Sequence, residues 1–324
     1  MRVDCQSHVF PREYAELLLQ STTAVRTVRE GQGYRIQYGS MQQFVLTLEA
    51  YDPARKLRDM DAAGIDTSVL SVNIPGPELL DPEVGIAGAR VCNDYLADLA
   101  ARHPGRFVGL ATLPLQDVPA AMAEYRRAIH GLGLRGIFLF SHLAGKPLDA
   151  PEFEPLYAQA EADRIPLVLH PTVPTWGEAI KDYSMIPMLG LMVDTSIAML
   201  RLILGGVLER HPDLLVVHPH CGGVLPYLMP RVEEQTEVKR RGREHIRKPP
   251  GEYYRNVYLD IVSPSALAME FAYRSARPER LLFGSDHPWV QIEAILEHFN
   301  RLDIPETEKA MILGETPRRL FRLG

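Results

Sequence analysis

The residues best suited to chemistry stand at the ends of short apolar segments, where a buried strand would deliver them to one edge of a sheet. They have side chains that can bind a metal ion or exchange a proton, and they are Gln6, His8, His170, His220 and Asp286. Imidazole and carboxylate groups are the usual ligands of divalent zinc in proteins, and histidine also transfers protons near neutral pH. The pattern predicts a metal centre with a proton-exchanging residue beside it.

The spacing in the first segment, VDCQSHV, supports this interpretation. Gln6 and His8 are two residues apart, so the period of a strand places both side chains on one face. The same period predicts that Asp4 shares this face and that Cys5 and Ser7 point away. Each residue alone also has a structural alternative, in which His8 closes the strand and Gln6 is a buried amide.

The later segments carry their polar residues in the same place. His170 ends an apolar segment before a proline, and His218 and His220 end LLVVHPHCGG, where they share a face unless Pro219 breaks the strand. Asp286 follows an apolar segment in LLFGSDHPW and could instead cap the next helix. Taken together, the candidates fall at the carboxyl ends of the first, fifth, sixth and eighth predicted strands, which favours one shared site.

Strand-like segments alternate with amphipathic helical segments along the whole chain. The predicted strands cover residues 2–6, 68–72, 107–112, 136–140, 166–169, 214–218, 256–260 and 280–283. The helical patterns include residues 53–63, 83–102, 118–130, 153–164, 196–210 and 292–296. Eight strands that are nearly all followed by helices indicate a closed parallel α/β sheet, a (β/α)8 barrel, in one domain over residues 1–324.

Two segments do not fit the simple repeat. Residues at about 10–50 and 171–195 form long excursions after the first and fifth predicted strands. Connections that follow strand ends lie on the C-terminal face of a barrel, where substrate sites are built. We therefore expect both excursions to cover the metal centre.

Composition excludes several other classes of protein. The 324 residues are 46% hydrophobic with a net charge of −6, and the charges are dispersed, so we expect no nucleic-acid or membrane partner. Three scattered cysteines do not form a disulfide framework or a thiolate metal site. No signal-peptide pattern or glycine-rich nucleotide loop is found. The expectation is a cytoplasmic protein without an organic cofactor.

The chain also resembles a known family. Beyond the segments quoted above, the similarity is carried by YDPARKLRDMDAAGID, NDYLADLAARHPGRFVGLATLPLQD and LERHPDLLVVHPHCGGVLPYLMPR. The sequence is similar to the amidohydrolase-related family typified by aminocarboxymuconate-semialdehyde decarboxylase, which includes γ-resorcylate decarboxylase and other non-oxidative aromatic-acid decarboxylases. The resemblance implies a distorted (β/α)8 TIM-type barrel of the metal-dependent hydrolase superfamily, usually assembled as a homodimer.

The resemblance also implies roles for individual residues. His8, His170 and Asp286 match the metal ligands, normally of zinc, with manganese as an alternative. His220 matches the histidine that activates a metal-bound water. Arg231 matches an arginine that reaches into the neighbouring subunit's site to bind a substrate carboxylate, and its alternative is a surface salt bridge.

The chain departs from the family pattern at two positions. Gln6 stands where a histidine ligand is usual, and a neutral amide is a weaker zinc ligand than imidazole. Gln6 could ligate weakly, hydrogen-bond a metal-bound water, or leave a three-ligand site with an open position. Thr47 aligns with an arginine that binds a substrate carboxylate. Phe44 and Trp176, in the two excursions, are candidate apolar walls of the substrate site.

The predicted function is metal-dependent, non-oxidative decarboxylation of an aromatic or unsaturated carboxylic acid by a C–C lyase. His220, with Asp286, would supply the proton. The same centre could instead hydrolyse a C–C, C–N or lactone bond, or hydrate a double bond. A metal-free barrel without catalytic activity is the remaining alternative.

Overall fold

Eight short parallel strands, separated by helices, form one closed ring in the computed structural model, which describes residues 1–324. The strands are β1 (Val3–Val9), β2 (Thr67–Val72), β3 (Phe107–Gly109), β4 (Ile137–Phe140), β5 (Leu167–His170), β6 (Val216–His218), β7 (Tyr258–Asp260) and β8 (Leu281–Leu282). Each prediction of a strand from the sequence is matched by one of these. The predicted (β/α)8 fold is confirmed.

The barrel is distorted because its strands pair as two arcs. β1, β2 and β3 form one parallel sheet, and β4 to β8 form the other. Isolated bridges close the ring, one from Ser7 to His287 and one from Ala111 to Ile137. At the first seam the Cys5 amide donates to the Phe283 carbonyl at 2.8 Å.

Helices surround the ring and cover its outer face. They are Arg12–Leu18, Pro53–Ala63, Pro82–Arg102, Val118–Arg126, Glu154–Asp163, Leu191–Leu204, Val207–Arg210, Leu225–Glu233, Pro250–Tyr254, Ala266–Ser275, Ile292–Asn300, Glu306–Ala310 and Thr316–Phe321. The helix Pro53–Ala63 shows why these ends form. The Asp52 carboxylate accepts from the Ala54 amide at 3.2 Å, Pro53 occupies the first turn, and Gly64 ends the helix with φ of 66°.

Alternating strand residues build two apolar layers. One layer fills the inside of the ring with side chains from most of the strands, among them Val3, Cys5, Val69, Phe138, Val168, Val217 and Leu282. The other layer packs the outer faces of the strands against the helices, with Leu70, Ile137, Leu167, Val216 and Leu281. Each fully buried aliphatic side chain contributes about 1.5–3 kcal/mol relative to exposure. The two layers hold the strand ends rigidly in place.

The first strand does not keep a strict alternation. Its register against β2 shifts by one residue between Asp4 and Ser7, which is a β-bulge. Cys5 therefore packs inside the ring, whereas Gln6 and His8 still face the mouth. The expectation that Asp4 shares their face and that Cys5 points outward is wrong, because the extra residue reverses the alternation at this point.

The two excursions build most of the structure above the C-terminal ends of the strands. The first contains an antiparallel sheet of Val25–Glu30, Gly33–Tyr38 and Gln42–Leu46. The second contains the short helices Gly177–Ile180 and Asp182–Ser184. It continues into the segment Asp182–Leu204, which by length and mean hydropathy of 1.6 could cross a membrane. Half of that segment is buried in the protein, as in a core helix.

Candidate active site

Three side chains from three strand ends converge at the mouth of the barrel. His8 lies on β1, His170 ends β5, and Asp286 follows β8, and their ligand atoms all lie within 4.8 Å of one another. His8 Nε2 is 2.9 Å from Asp286 Oδ1, and His170 Nε2 is 3.9 Å from the same oxygen. Two imidazole nitrogens and a carboxylate at this spacing form the donor set of a divalent metal site with open positions.

Hydrogen bonds on the far side of each ring fix the direction of the ligand nitrogens. His170 Nδ1 donates to the Pro171 carbonyl at 2.9 Å, and His8 Nδ1 pairs with Ser71 Oγ at the same distance. A ring nitrogen bonded in this way leaves the other nitrogen, Nε2, to face the ion. Both Nε2 atoms face Asp286. The residues present therefore fit a divalent cation.

The electrostatics of the three residues also suit a cation. Burial lowers the pKa of His8 to about 4 and lowers the pKa of His170, so both rings are neutral at neutral pH. Burial alone would raise the pKa of Asp286. The neighbouring imidazoles of His170, His220 and His8 outweigh that effect and hold the pKa well below 3.8. Neutral imidazole and ionised carboxylate are the forms that bind metals.

The turn after β6 separates two histidines that the strand period would place together. β6 ends at His218, whose Nδ1 lies 2.9 Å from the Tyr254 hydroxyl on the outer side of the barrel. Pro219 stops the strand, and His220 takes a left-handed conformation with φ of 54° that brings its ring to the mouth. His218 and His220 therefore do not share a face, because Pro219 breaks the alternation.

His220 is held beside the carboxylate from two directions. Its backbone amide donates to Asp260 Oδ1 at 2.7 Å, and its Nε2 lies 3.8 Å from Asp286 Oδ2. Burial lowers the pKa of His220, but the carboxylates of Asp286 and Asp260 outweigh it, so the pKa is raised above 6.5. This ring therefore retains a proton at a pH where His8 and His170 have lost theirs.

Gln6 lies next to both His220 and Asp286. Its Nε2 lies 3.4 Å from His220 Nε2 and 3.5 Å from Asp286 Oδ1, both at the outer limit of a hydrogen bond. Its Oε1 is buried and has no hydrogen-bond partner. An unpaired amide oxygen in this position could face a cation or a water molecule.

Aromatic side chains form part of the wall above the centre. Phe44, from the sheet of the first excursion, packs edge-on against Trp289 with ring centroids 5.9 Å apart. The Trp289 amide donates to the Asp286 carbonyl at 2.9 Å, so this wall is tied to the metal site. Trp289 was quoted in the LLFGSDHPW segment but not selected by the sequence analysis, because an aromatic residue after a strand has no distinctive pattern.

The other residues predicted to bind substrate lie in three different environments. Trp176 is partly buried, and its unpaired Nε1 lies near the Asp194 carboxylate. Thr47 is exposed at the start of a short 3-10 helix, and its side chain forms no hydrogen bond. Arg231 is exposed on the helix Leu225–Glu233 and has no carboxylate within 4.0 Å, so the surface salt bridge considered as its alternative is not formed.

A buried charge network behind the site was missed by the sequence analysis. Lys56 is 1% exposed, and its Nζ donates to Ser7 Oγ at 2.6 Å and lies 2.7 Å from His287 Nδ1. His287 Nε2 in turn lies 2.9 Å from Asp59 Oδ2. These contacts join β1 to the segment that carries Asp286. The sequence did contain a signal. Lys56 shares the i, i+4, i+7 spacing of Met60 and Ala63 on the buried face of its helix, where an apolar residue is expected.

Comparisons with known proteins agree with this architecture. A family model described as amidohydrolase matches residues 3–323. γ-Resorcylate decarboxylase from Rhizobium radiobacter is 32% identical over 282 residues, which cover 83% of this chain and 86% of that protein.

Two solved structures show the same fold over nearly the whole chain. 5-Carboxyvanillate decarboxylase from Sphingomonas paucimobilis is 27% identical with a TM-score of 0.88, covering 100% of this chain and 99% of that one. A dihydroxybenzoic acid decarboxylase from Polaromonas with bound manganese is 24% identical with a TM-score of 0.84, covering 99% and 97% of the two chains. The resemblance seen in the sequence is confirmed, and this chain belongs to the amidohydrolase family.

Proposed function

We propose that this protein is a metal-dependent, non-oxidative decarboxylase that acts on a small aromatic carboxylic acid. The observation that carries the proposal is the convergence of His8, His170 and Asp286 next to His220, whose pKa is raised by the Asp286 and Asp260 carboxylates. Decarboxylases of aromatic acids among the relatives of the chain support it. No redox group is required, because the reaction only exchanges a carboxylate for a proton.

His8, His170 and Asp286 would hold the ion, for which we propose zinc, with manganese as the alternative because the Polaromonas relative binds it. When bound, the ion would polarise the oxygen atoms of the substrate and neutralise its charge. Elemental analysis of the purified protein identifies the metal. Less than about a tenth of an equivalent of any divalent metal, without activation on reloading, would instead support a catalytically silent barrel.

The protein supplies the proton. His220 Nε2 and Asp286 Oδ2 lie 3.8 Å apart, and the carboxylates of Asp286 and Asp260 raise the pKa of His220, which favours its protonated form. This pair would deliver the proton to the ring carbon that bears the carboxylate. The carbon–carbon bond then breaks, its electron pair returns to the ring, and carbon dioxide leaves. Phe44 and Trp289 would exclude water from one side of the ring.

The test is turnover of 2,6-dihydroxybenzoate and 5-carboxyvanillate, followed by release of carbon dioxide and by chromatography of the product. We expect one equivalent of carbon dioxide for each acid consumed, and loss of both metal and turnover in His170→Ala. The same centre could attack a carbonyl group, so hydrolysis or hydration is the second candidate. Consumption of C–N or lactone substrates without carbon dioxide release would establish it and refute the decarboxylase.

The role of Gln6 has its own test. If its unpaired Oε1 faces the ion, Gln6→Leu should weaken metal binding by about tenfold or more. If Gln6 only fills space, Gln6→Leu should bind metal like the natural protein. Gln6→His is the matched variant, since it restores the usual ligand of the family. It should bind the metal more tightly than the natural protein or Gln6→Leu.

We further propose a homodimer in which Arg231 completes the neighbouring site by binding the substrate carboxylate. Arg231 and Tyr227 lie four residues apart on one helix face, Tyr227 is 76% exposed, and Arg231 has no carboxylate partner in its own chain. Exposed Met188 and Ile197 add apolar surface on the second excursion and its helix. Phe44 and Trp176 are proposed as walls of the site. Thr47 is exposed, and we propose it only as a substrate contact at the solvent-facing edge of the site.

Mixing two inactive variants tests this arrangement. Light scattering should first show a dimer. If Arg231 acts across the interface, re-association of Arg231→Ala with His170→Ala should restore about a quarter of the natural activity, because half the dimers contain one complete site. No recovery after verified subunit exchange would place Arg231 in its own subunit's site or outside the site.

A further inference from the structure

A strongly basic cavity lies at the opposite end of the barrel from the metal site. It has a volume of about 470 Å³ and is lined by residues that precede β5, β6, β7 and β8, together with the C-terminal helix. Five arginines face it, and they are Arg164, Arg277, Arg280, Arg319 and Arg322. Asp213 and Glu279 are the two carboxylates in its lining, so positive charge is in clear excess.

These five guanidinium groups have no carboxylate partners. None has a carboxylate oxygen within 4.0 Å. By contrast, Arg201 pairs with Asp149 at 2.6 Å and Arg127 with Glu124 at 2.7 Å. Like charges gathered in a concave surface repel one another and attract a counter-ion. The unpaired donors are therefore available to a ligand.

Two of the five side chains are also held in place by backbone carbonyls. Arg322 Nη2 donates to the Asp163 and Arg164 carbonyls at 2.7 and 3.2 Å, and Arg319 Nη2 donates to the Glu279 carbonyl at 3.1 Å. Each guanidinium group has further N–H donors that these bonds do not use. These bonds hold one edge of each exposed guanidinium group and leave its other donors free.

Two of these arginines share an unusual backbone conformation. Arg164 and Arg322 each follow a helix in the left-handed conformation, with φ of 54° and 52°. Glycine or asparagine occupies this position at lower cost. At both places the residue is an arginine, and both side chains line the same cavity.

Buried apolar side chains also contribute to the lining. The Arg280 guanidinium group lies over the Tyr258 ring at 4.5 Å, and Leu214 and Leu320 are among the other lining residues. An arginine stacked on an aromatic ring keeps its N–H edges free for an oxyanion. The cavity therefore combines charged donors with buried apolar side chains.

We propose that this cavity binds a small anion carrying several phosphoryl groups. Guanidinium groups bind phosphate oxygens in pairs, and several phosphoryl groups offer enough oxygens and charge for several arginines within one small cavity. A dicarboxylate has fewer oxygens and less charge. The site is independent of the reaction at the other end of the barrel.

Calorimetric titration of the full chain with tripolyphosphate, in about 0.15 M salt, tests the proposal. We expect saturable binding with one site per chain, and a loss of affinity of about tenfold or more in Arg277→Ala/Arg280→Ala. The control is Arg274→Ala/Arg301→Ala, which removes the same charge from two surface ion pairs. It should bind within about twofold of the natural protein.

A single variant and two further ligands complete the test. Arg277→Gln changes an exposed side chain that forms no hydrogen bond, so it guards against misfolding of the double variant, and it should weaken binding several-fold. Tighter binding of ATP than of tripolyphosphate would identify a nucleotide as the source of the phosphates, and equal binding would identify the phosphate chain alone. Absence of binding, equal loss in the control variant, or malonate binding as tightly as tripolyphosphate would each overturn the proposal.

Discussion

Replacement of Lys56 by methionine probes the buried network behind the metal site. The substitution keeps the length of the side chain and removes the ammonium group that contacts Ser7 Oγ at 2.6 Å and His287 Nδ1 at 2.7 Å. It also removes the cation nearest the buried Asp4 carboxylate. Removing one member of a buried ionic network leaves its partners without compensation. We therefore expect Lys56→Met to lower the free energy of unfolding.

The expected loss depends on pH. Burial raises the pKa of Asp4 from 3.8 to about 6, and Lys56 opposes that rise. The unfolded chain releases this proton at lower pH than the folded protein, so the folded state loses stability as the pH rises through this range. Without Lys56 the pKa of Asp4 rises further, and the loss continues to higher pH.

Lys56 itself acts in the same direction. Burial lowers its pKa from 10.5 to about 7. The cost of holding the ammonium group is complete below pH 7 in the natural protein and is relieved as the pH rises towards 10.5. The methionine variant has no such cost to relieve. The free energy of unfolding of the natural protein should therefore increase relative to that of the variant as the pH rises.

Removing one partner of a buried ionic pair typically costs about 3–5 kcal/mol, because the other partner is left without compensation. We therefore predict that Lys56→Met lowers the free energy of unfolding by about 3–5 kcal/mol at pH 8, and by less at pH 5, where Asp4 is protonated in the variant. Equilibrium unfolding in urea, followed by circular dichroism, measures both values.

The control is Lys181→Met, which breaks an exposed pair with Glu178 and should change stability by less than about 1 kcal/mol at either pH. A loss in Lys56→Met that is equal at pH 5 and pH 8, or no larger than that of the control, would refute the reasoning. It would mean that Lys56 does not compensate the Asp4 carboxylate.

Two further predictions concern the metal site and the turn that carries its proton donor. Because burial lowers the pKa of His8 to about 4 and also lowers that of His170, metal affinity measured by chelator competition should persist to lower pH than two ordinary histidines, with pKa values of about 6.5, would allow. A tenfold decrease in metal affinity per pH unit that begins at pH 6.5 would contradict this prediction. Gly223→Ala should cost about 3 kcal/mol or more and reduce turnover, because φ is 60° and a Cβ would lie 2.4 Å from Ser196 Oγ. Gly105→Ala, with φ of 78° and open space around it, is the control and should cost about 1–2 kcal/mol in thermal unfolding.

The sequence by itself determined the architecture and the elements that carry the site. Strand and helix differ in the period of their apolar residues, so eight strands and the helices between them could be recognised without tertiary information. The polar residues at the strand ends followed from the same pattern, since parallel strands of one barrel end on one face. His8, His170 and Asp286 were selected on that basis, and the structure brings them together.

Tertiary structure decided which way the side chains face at the irregular points. The bulge in β1 reverses the positions of Asp4 and Cys5, and the turn after Pro219 separates His218 from His220. Local periodicity cannot predict either, because both arise where the chain leaves regular geometry to meet its neighbours.

Long-range contacts decided the remaining features. Lys56 contacts His287, which is 231 residues away in sequence, and the basic cavity gathers arginines from three separate segments of the chain. No pattern in a single segment encodes these distances. They are set by closure of the barrel, which places the last strand beside the first and fixes which charges must share one buried space.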